Sequence, residues 1–277
     1  LRSLLRYTYK SYSIQKMNIY KTEAIVLKDY DLGEQDKIVV FYSLRYGKIR
    51  AIAKGARRIK SRFAYVIQPP SYNSLLIYKN RKGSLDVVSE CIAKYQFLGI
   101  KKDLVRFAYV CYLIELIDKL TEQEESQSLL FRILLKSLFL MESIPKCSLN
   151  LLIESFQLKL LNILGYQPYL KGCINCGKKA SSTSYFYFSL RLGVLLCENC
   201  KSIDGRRVSL SREAFLLMRR LLFLKLEEIS GEKINKEIVK ETEVILRTYL
   251  SYQGQIKMPD SCFIHNFKKL ELMQTAG

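Results

Sequence analysis

The sequence predicts an α+β protein of several parts: a five-stranded N-terminal barrel, an α-helical body, and a four-cysteine zinc ribbon inserted in that body. Three observations carry this prediction. Short runs of strand character fill the first third of the chain. Longer runs of helical period fill most of the rest. Two C-x2-C pairs interrupt the helices.

The strand-like segments are Thr22–Lys28, Asp36–Ser43, Lys48–Lys54, Ser74–Lys79 and Leu85–Ala93. Asp29 to Gln35 reads as a polar loop, and Asn80 to Ser84 as a turn. Leu44 to Gly47 reads as another turn, in which Gly47 is free to take positive φ. Five short strands within about 75 residues point to a barrel, because closure protects strand edges.

The helical segments begin with Asp103–Leu120. It is apolar nearly all round, as a buried central helix must be. Ser126–Ser143 and Ser148–Leu164 follow. For the latter, Ser148 is the expected N-cap and Gly165 the C-cap, with Pro168 just beyond. Helix resumes at Ser211–Ser230, where Gly231 ends it, and at Asn235–Gln253. The expected domains are therefore a barrel at 17–96, a helical domain at 97–170 and 205–277, and a zinc module at 171–204. Residues 1–16 hold four basic residues and no acid, a composition resembling an organelle transit peptide. Met17 directly precedes the first patterned segment, so a start assigned too far upstream is the simpler expectation. This stretch is expected to be an extension outside the fold.

The cysteine spacing is C-x2-C, twenty residues, then C-x2-C: Cys173, Cys176, Cys197 and Cys200. A C-x2-C turn places two sulfurs on one ion, and Zn²⁺ prefers four soft ligands in a tetrahedron. Gly177 follows the first pair, where a knuckle turn needs a permissive residue. Tyr185–Ser189 and Val194–Leu196 read as a hairpin around Gly193. Four thiolates leave no open coordination position, so one structural Zn²⁺ is expected, not a catalytic one. Cys91 and Cys111 read as small core residues. Eight cysteines in a chain of this length do not make a secreted disulfide scaffold, and a reducing, cytosolic compartment is expected.

Charge locates the expected function. Lys and Arg number 45 and Asp and Glu 26, for a net charge of +19. Such a chain favours polyanions, nucleic acid before anionic membrane. No apolar run reaches the ~18 residues of a membrane helix, so a soluble protein with no membrane partner is expected. Between Arg45 and Arg62, eight of 18 residues are basic and none is acidic. Alternation in Lys48–Lys54 puts Ile49, Ala51 and Ala53 on one face, and Lys48, Arg50, Ile52 and Lys54 on the other. Arg57, Arg58, Lys60 and Arg62 follow directly. In five-stranded Greek-key barrels the face of strands two and three is the usual oligonucleotide surface. Of the nearby aromatics Phe41, Tyr42, Tyr46, Phe63 and Tyr65, one or two are expected to reach bases.

Here the chain resembles a known family. Lys54-Gly55-Ala56-Arg57-Arg58, then Lys60-Ser61-Arg62-Phe63 and Gln68-Pro69, resembles the signature stretch of RecO, the bacterial recombination mediator. Leu32-Gly33-Glu34-Gln35-Asp36 is similar to the loop before that family's second strand. Phe107–Leu120 is similar to its apolar first helix. Leu161–Pro168 and the cysteine pairs are similar to its zinc module. The likeness covers residues 19–225 in order. It implies an OB-fold (oligonucleotide-binding) barrel and binding and annealing of single- and double-stranded DNA without ATP. It also implies action with RecR, with RecF in some pathways, and docking on the tail of the single-strand-binding protein. The family's DNA-contacting residues carry over to Lys54, Arg57, Arg58, Lys60 and Arg62.

Competing readings are fewer. No G-x-x-x-x-G-K-[ST] loop is present, so no ATPase is expected. The lone histidine, His265, is expected in solvent, which leaves His-dependent nucleophile chemistry without its base. Asp29, Asp31, Glu34 and Asp36 are the one carboxylate cluster a metal-dependent nuclease could use, but a polar turn between strands explains them better. The alternative to a DNA mediator is a general RNA- or single-stranded-nucleic-acid-binding protein whose zinc ribbon contacts a partner. No enzymatic activity is expected.

Overall fold

The computed structural model describes residues 19–80, 84–123, 125–179, 185–229 and 234–259. The expected extension at 1–16, the Gly231 helix stop, Cys262 and His265 lie outside these residues, as does part of the Asn80–Ser84 turn.

Five strands close the barrel: β1 (Ile19–Leu32), β2 (Asp36–Ser43), β3 (Gly47–Ala53), β4 (Tyr72–Tyr78) and β5 (Asp86–Tyr95). The order around it is β1-β2-β3-β5-β4, with β4 returning to β1. All neighbours are antiparallel except β3 and β5. This is the OB-type arrangement. Two strands are buried on both faces. In β1, Ala24 and Val26 point into the barrel, while Ile25 and Leu27 join the core of the helical body. In β2, Val39 and Phe41 point inward while Val40 and Tyr42 face the helices. Their unbroken apolar runs follow from that double burial. In β3, by contrast, Ile49, Ala51 and Ala53 are buried and Arg50 is exposed. The open barrel face is therefore narrower than the β2–β3 surface expected from sequence, since helices cover the outside of β2.

β1 also runs further than expected, through Leu32, so the polar loop shrinks to a turn at Gly33. Asp29 and Asp31 lie within the β1–β2 ladder, both paired with Lys37. Cross-strand charge pairing makes these polar residues acceptable in a strand.

The helical body comprises α1 (Leu98–Lys101), α2 (Leu104–Leu120), α3 (Ser128–Ser143), α4 (Leu149–Ile163), α5 (Arg212–Phe223) and α6 (Lys236–Gly254). Asp103 caps α2, accepting from the N–H groups of Val105 and Arg106. α2 and α4 are buried on most of their surface, α2 through a largely apolar sequence and α4 together with its polar Glu154, Ser155 and Gln157. The C-terminus of α4 forms a Schellman motif: Gly165, at φ +83°, donates to Asn162 and Tyr166 donates to Leu161. The N-terminus differs from expectation. A 3-10 turn at Lys146–Ser148 leads into α4, so Ser148 already has helical φ and ψ and its buried hydroxyl makes no capping bond. α5 stops at Phe223, before the expected Ser230. Lys159 of α4 donates to the carbonyls of Leu221, Leu222 and Leu224 and so satisfies the frayed end. No helix among the described residues is long and apolar enough to cross a membrane.

A second sheet has the order β6-β8-β7-β9, formed by β6 (Tyr169–Cys173), β7 (Tyr185–Ser189), β8 (Val194–Leu196) and β9 (Arg207–Ser211). Phe186, Phe188, Leu195 and Leu210 enter the main core with Phe215 of α5 and Tyr249 of α6. This sheet fits a zinc-ribbon insertion.

Barrel and body meet at two places that fix the position of β3. Lys28 and Lys48 both reach Asp118 near the end of α2, at 2.8 and 3.6 Å. The linker between α2 and α3 crosses the β2–β3 turn, with Lys48 bridging to Gln123. Gly47 lies under this linker at φ +61°, and an added Cβ would stand 2.1 Å from the Glu125 carbonyl oxygen. Gly47→Ala is therefore expected to destabilise the fold by roughly 1–3 kcal/mol, read from denaturant midpoints.

The helical core also holds a buried carboxyl. Glu154 of α4, 1% exposed, bonds Thr242 of α6 at 2.7 Å, and its other oxygen has no partner. Burial pushes its pKa up to about 8, against the smaller opposing effect of Thr242. The folded protein thus keeps this proton where the unfolded chain loses it. Its ionisation has no effect on stability below the ordinary carboxyl pKa. Stability then falls as pH rises toward 8. Glu154→Gln is expected to match the parent near pH 4 and to exceed it at pH 8 by roughly 4 kcal/mol. Thermal melts across that range check the crossover.

Candidate nucleic-acid interface and metal centre

The basic segment after β3 is an anchored platform. Ala56, Phe63 and Ile67 are buried in the barrel core and pin the β3–β4 connection across its end. The β1–β2 turn holds it from the side. Asp36 accepts from the Gly55 N–H at 2.7 Å, and the Arg57 N–H donates to the Gln35 carbonyl at 2.9 Å. The Arg57 guanidinium donates to the Gly33 carbonyl at 2.7 Å and pairs with Asp31 at 3.2 Å. Arg58 donates through Nε to the Gln35 side chain at 2.9 Å. Arg62 donates to the Ser89 carbonyl at 2.8 Å and lies over the Phe63 ring. Each arginine keeps donors toward solvent, because a guanidinium has five.

Lys54, Arg57, Arg58, Lys60 and Arg62 are all exposed on this platform, and Arg50 is exposed on β3 below it. Lys48 departs from the group. Its ammonium donates to the Asp118 carbonyl at 2.6 Å, and its side chain is only 13% exposed. The reason is positional: Lys48 is cross-strand from Tyr42, at the rim where the helical body begins. Of the aromatics, Phe41, Tyr42 and Phe63 are buried. Tyr65 is 78% exposed, and Ile59 stands fully in solvent between Arg58 and Lys60. The roles of Gln35 and Asp36 in holding the loop are not evident from spacing alone. The Leu32–Asp36 stretch gives the only sequence signal for them.

The carboxylates Asp29, Asp31 and Asp36 are each engaged within the protein: Asp29 and Asp31 by Lys37, Asp31 also by Arg57, and Asp36 by the Gly55 N–H. Among the described residues, one group of acidic, cysteine or histidine side chains converges closely enough to hold a metal ion, and it is the cysteine cluster.

The Sγ atoms of Cys173, Cys176, Cys197 and Cys200 lie within 4.8 Å of one another, with Cys176 and Cys197 at 3.6 Å. Ligands at the ~2.3 Å of a zinc–sulfur bond stand about 3.8 Å apart on a tetrahedron, so the donor set fits such an ion. The turns that bring them together need small residues. Gly177 has φ +69°, and a Cβ on Gly172 would meet the Lys178 carbonyl oxygen at 2.7 Å. Burial disfavours the Cys173 thiolate, yet backbone N–H groups from Cys176, Cys197 and Asn175 outweigh it and bring the pKa down to about 6. At Cys200 the Asn175 amide favours the thiolate, but burial and the other thiols prevail and push it up to about 11. One thiolate forms readily, and four together need a cation. Leu196 and Tyr187 are the apolar residues packed with the cluster.

An OB-type barrel with one cationic rim, mounted on a helical body that carries a four-thiol ribbon, defines the structural class. Comparison with known proteins gives the family. The model described as "Recombination protein O N terminal" matches residues 17–97, and "Recombination protein O C terminal" matches residues 101–261. The chain is 34% identical over 232 residues to the DNA repair protein RecO of Alkaliphilus metalliredigens, covering 84% of this chain and 92% of that protein. It is 32% identical over 254 residues to the DNA repair protein RecO of a Thermoanaerobacter species, covering 92% and 100%. The Desulforamulus reducens RecO is 30% identical over 256 residues, covering 92% and 98%. The chain belongs to the RecO family of DNA repair proteins.

Proposed function

We propose that the protein binds DNA on the β3 face and the Lys54–Arg62 platform and anneals complementary strands without ATP. The observation that carries this is the platform itself: five exposed cations on a rigidly anchored loop, in an 18-residue stretch without an acid. Binding comes mainly from phosphate contacts, so two strands held on one basic surface are screened from each other. Arg50, Lys54, Arg57, Arg58, Lys60 and Arg62 contact DNA. Lys48 instead joins barrel to body. The protein is not an enzyme, and it acts in the cytoplasm with RecR, with RecF, and with the tail of the single-strand-binding protein, as the family resemblance implies. The four cysteines hold one structural Zn²⁺.

Single-strand binding measured against salt tests the reading. A log–log slope of roughly −0.7 per phosphate neutralised is expected, so five or six contacts give a slope steeper than about −3. A shallow slope, or equal-length RNA displacing DNA with clear preference, would favour the general RNA-binding alternative. Cleavage of labelled DNA with Mg²⁺ or Mn²⁺, lost on Asp36→Asn, would favour a nuclease.

A further inference from the structure

A second cationic feature lies at the other end of β3. There, a cleft of about 240 Å3 opens between the barrel and the α2–α3 linker. Arg45 and Tyr46 border it from the β2–β3 turn, Arg50 from β3, and Lys79 and Asp86 from the ends of the β4–β5 connection. Gln123 of the helical body forms the far wall.

The cleft combines two recognition elements. Tyr46 is 37% exposed and lies against Tyr20, ring centroids 4.4 Å apart. Tyr20 is itself fixed, its hydroxyl donating to Asp86 at 2.8 Å. The two rings are tilted by 51° to one another and both line the cleft, forming an aromatic corner. Beside it stand Arg45, Arg50 and Lys79, and Arg50 makes no ion pair with any described residue. Asp86 is the one carboxylate in the lining. It is occupied by Tyr20 and by the Asn80 N–H at 3.1 Å. The Lys48 ammonium is committed to Asp118. Arg45 and Arg50 alone outweigh the single Asp86, so the lining is net cationic beside a ring, which suits a base and its phosphate.

Position supports a continuous path. Arg50 is on the outer face of β3 and Lys54 lies just past its end, four residues on and roughly 13 Å away at ~3.3 Å per residue. A strand lying on the Lys54–Arg62 platform and following β3 would run into this cleft, where Gln123 and the linker stand across its way.

We propose that the cleft at the barrel–body junction takes one unpaired nucleotide of a bound DNA strand, the base stacked on Tyr46 and the phosphate held by Arg45 and Arg50. This rests on the proposed DNA binding by the platform, which it extends from a charged surface to a defined path with an end. The occupant is a nucleotide within a strand, not a free nucleotide, because the cleft's own cations are few and the platform supplies most of the attraction.

The test uses the full-length protein and single-stranded DNA carrying 2-aminopurine. Stacking is expected to quench the probe on binding. Tyr46→Ala should abolish the quench and weaken binding about tenfold, while Tyr46→Phe retains both. Arg57→Ala with Arg58→Ala should weaken binding but leave the quench at saturation. Free deoxynucleotide should not compete at concentrations that leave the strand bound. A parent protein that binds DNA with a quench unchanged in Tyr46→Ala overturns this inference alone. Competition by free nucleotide overturns the strand assignment, and a parent that binds no DNA overturns the platform reading with it.

Discussion

Cys197→Ser is expected to leave the chain with less than half an equivalent of zinc, against one in the parent, and to lower the melting temperature by roughly 10 °C or more. Apart from such an ion, the cysteine end of the ribbon has little to hold it. Its small cluster contains three of the cysteines, Leu196 and the half-buried Tyr187. A structural site of this kind is worth roughly 10–16 kcal/mol of apparent binding energy in isolated modules. In this chain part of that energy is shared with packing, because Phe186, Phe188, Leu195 and Leu210 enter the main core. Loss of the clasp therefore loosens the seat of α5 and α6 first. The barrel, which has its own closed sheet and core, should retain its secondary structure. Metal analysis and melts followed at helical and strand wavelengths check both statements.

Arg57→Ala combined with Arg58→Ala is expected to weaken single-strand binding roughly 10- to 30-fold at 0.1 M salt and to flatten the salt slope by about 1.4. These arginines also hold the β1–β2 turn through Gly33, Gln35 and Asp31. Part of the loss therefore comes from loop displacement. Lys54→Ala with Lys60→Ala separates the two effects. Both lysines are exposed and form no hydrogen bond or ion pair with a described residue, so their removal subtracts charge alone. The lysine pair should flatten the slope by a similar amount without altering stability.

Much of this arrangement is legible in the sequence because period reports burial. The alternation of β3 gives its inner and outer faces directly. The all-round apolar character of α2 gives its central place, and the cysteine spacing gives the cluster. What stays hidden depends on contacts between distant segments. The capture of Lys48 by Asp118 joins residues 70 positions apart. Helices covering the outside of β2 leave no mark in its sequence beyond an unbroken apolar run, which a buried strand of any sheet would share. The early end of α5 depends on Lys159, a residue of another helix. The polar end of β1 is strand only because Lys37 neutralises it from across the ladder. The platform's basic residues are visible as a charge run, but Asp36 and Gln35, which position them, are ordinary polar residues until the turn is seen against Gly55, Arg57 and Arg58.

Annealing of two complementary labelled strands, followed without any nucleotide, tests the central claim most directly. The parent protein should accelerate annealing well above the spontaneous rate at low salt, and the Arg57→Ala, Arg58→Ala variant should lose most of that acceleration. Equal acceleration by parent and variant, or a requirement for ATP, would contradict it.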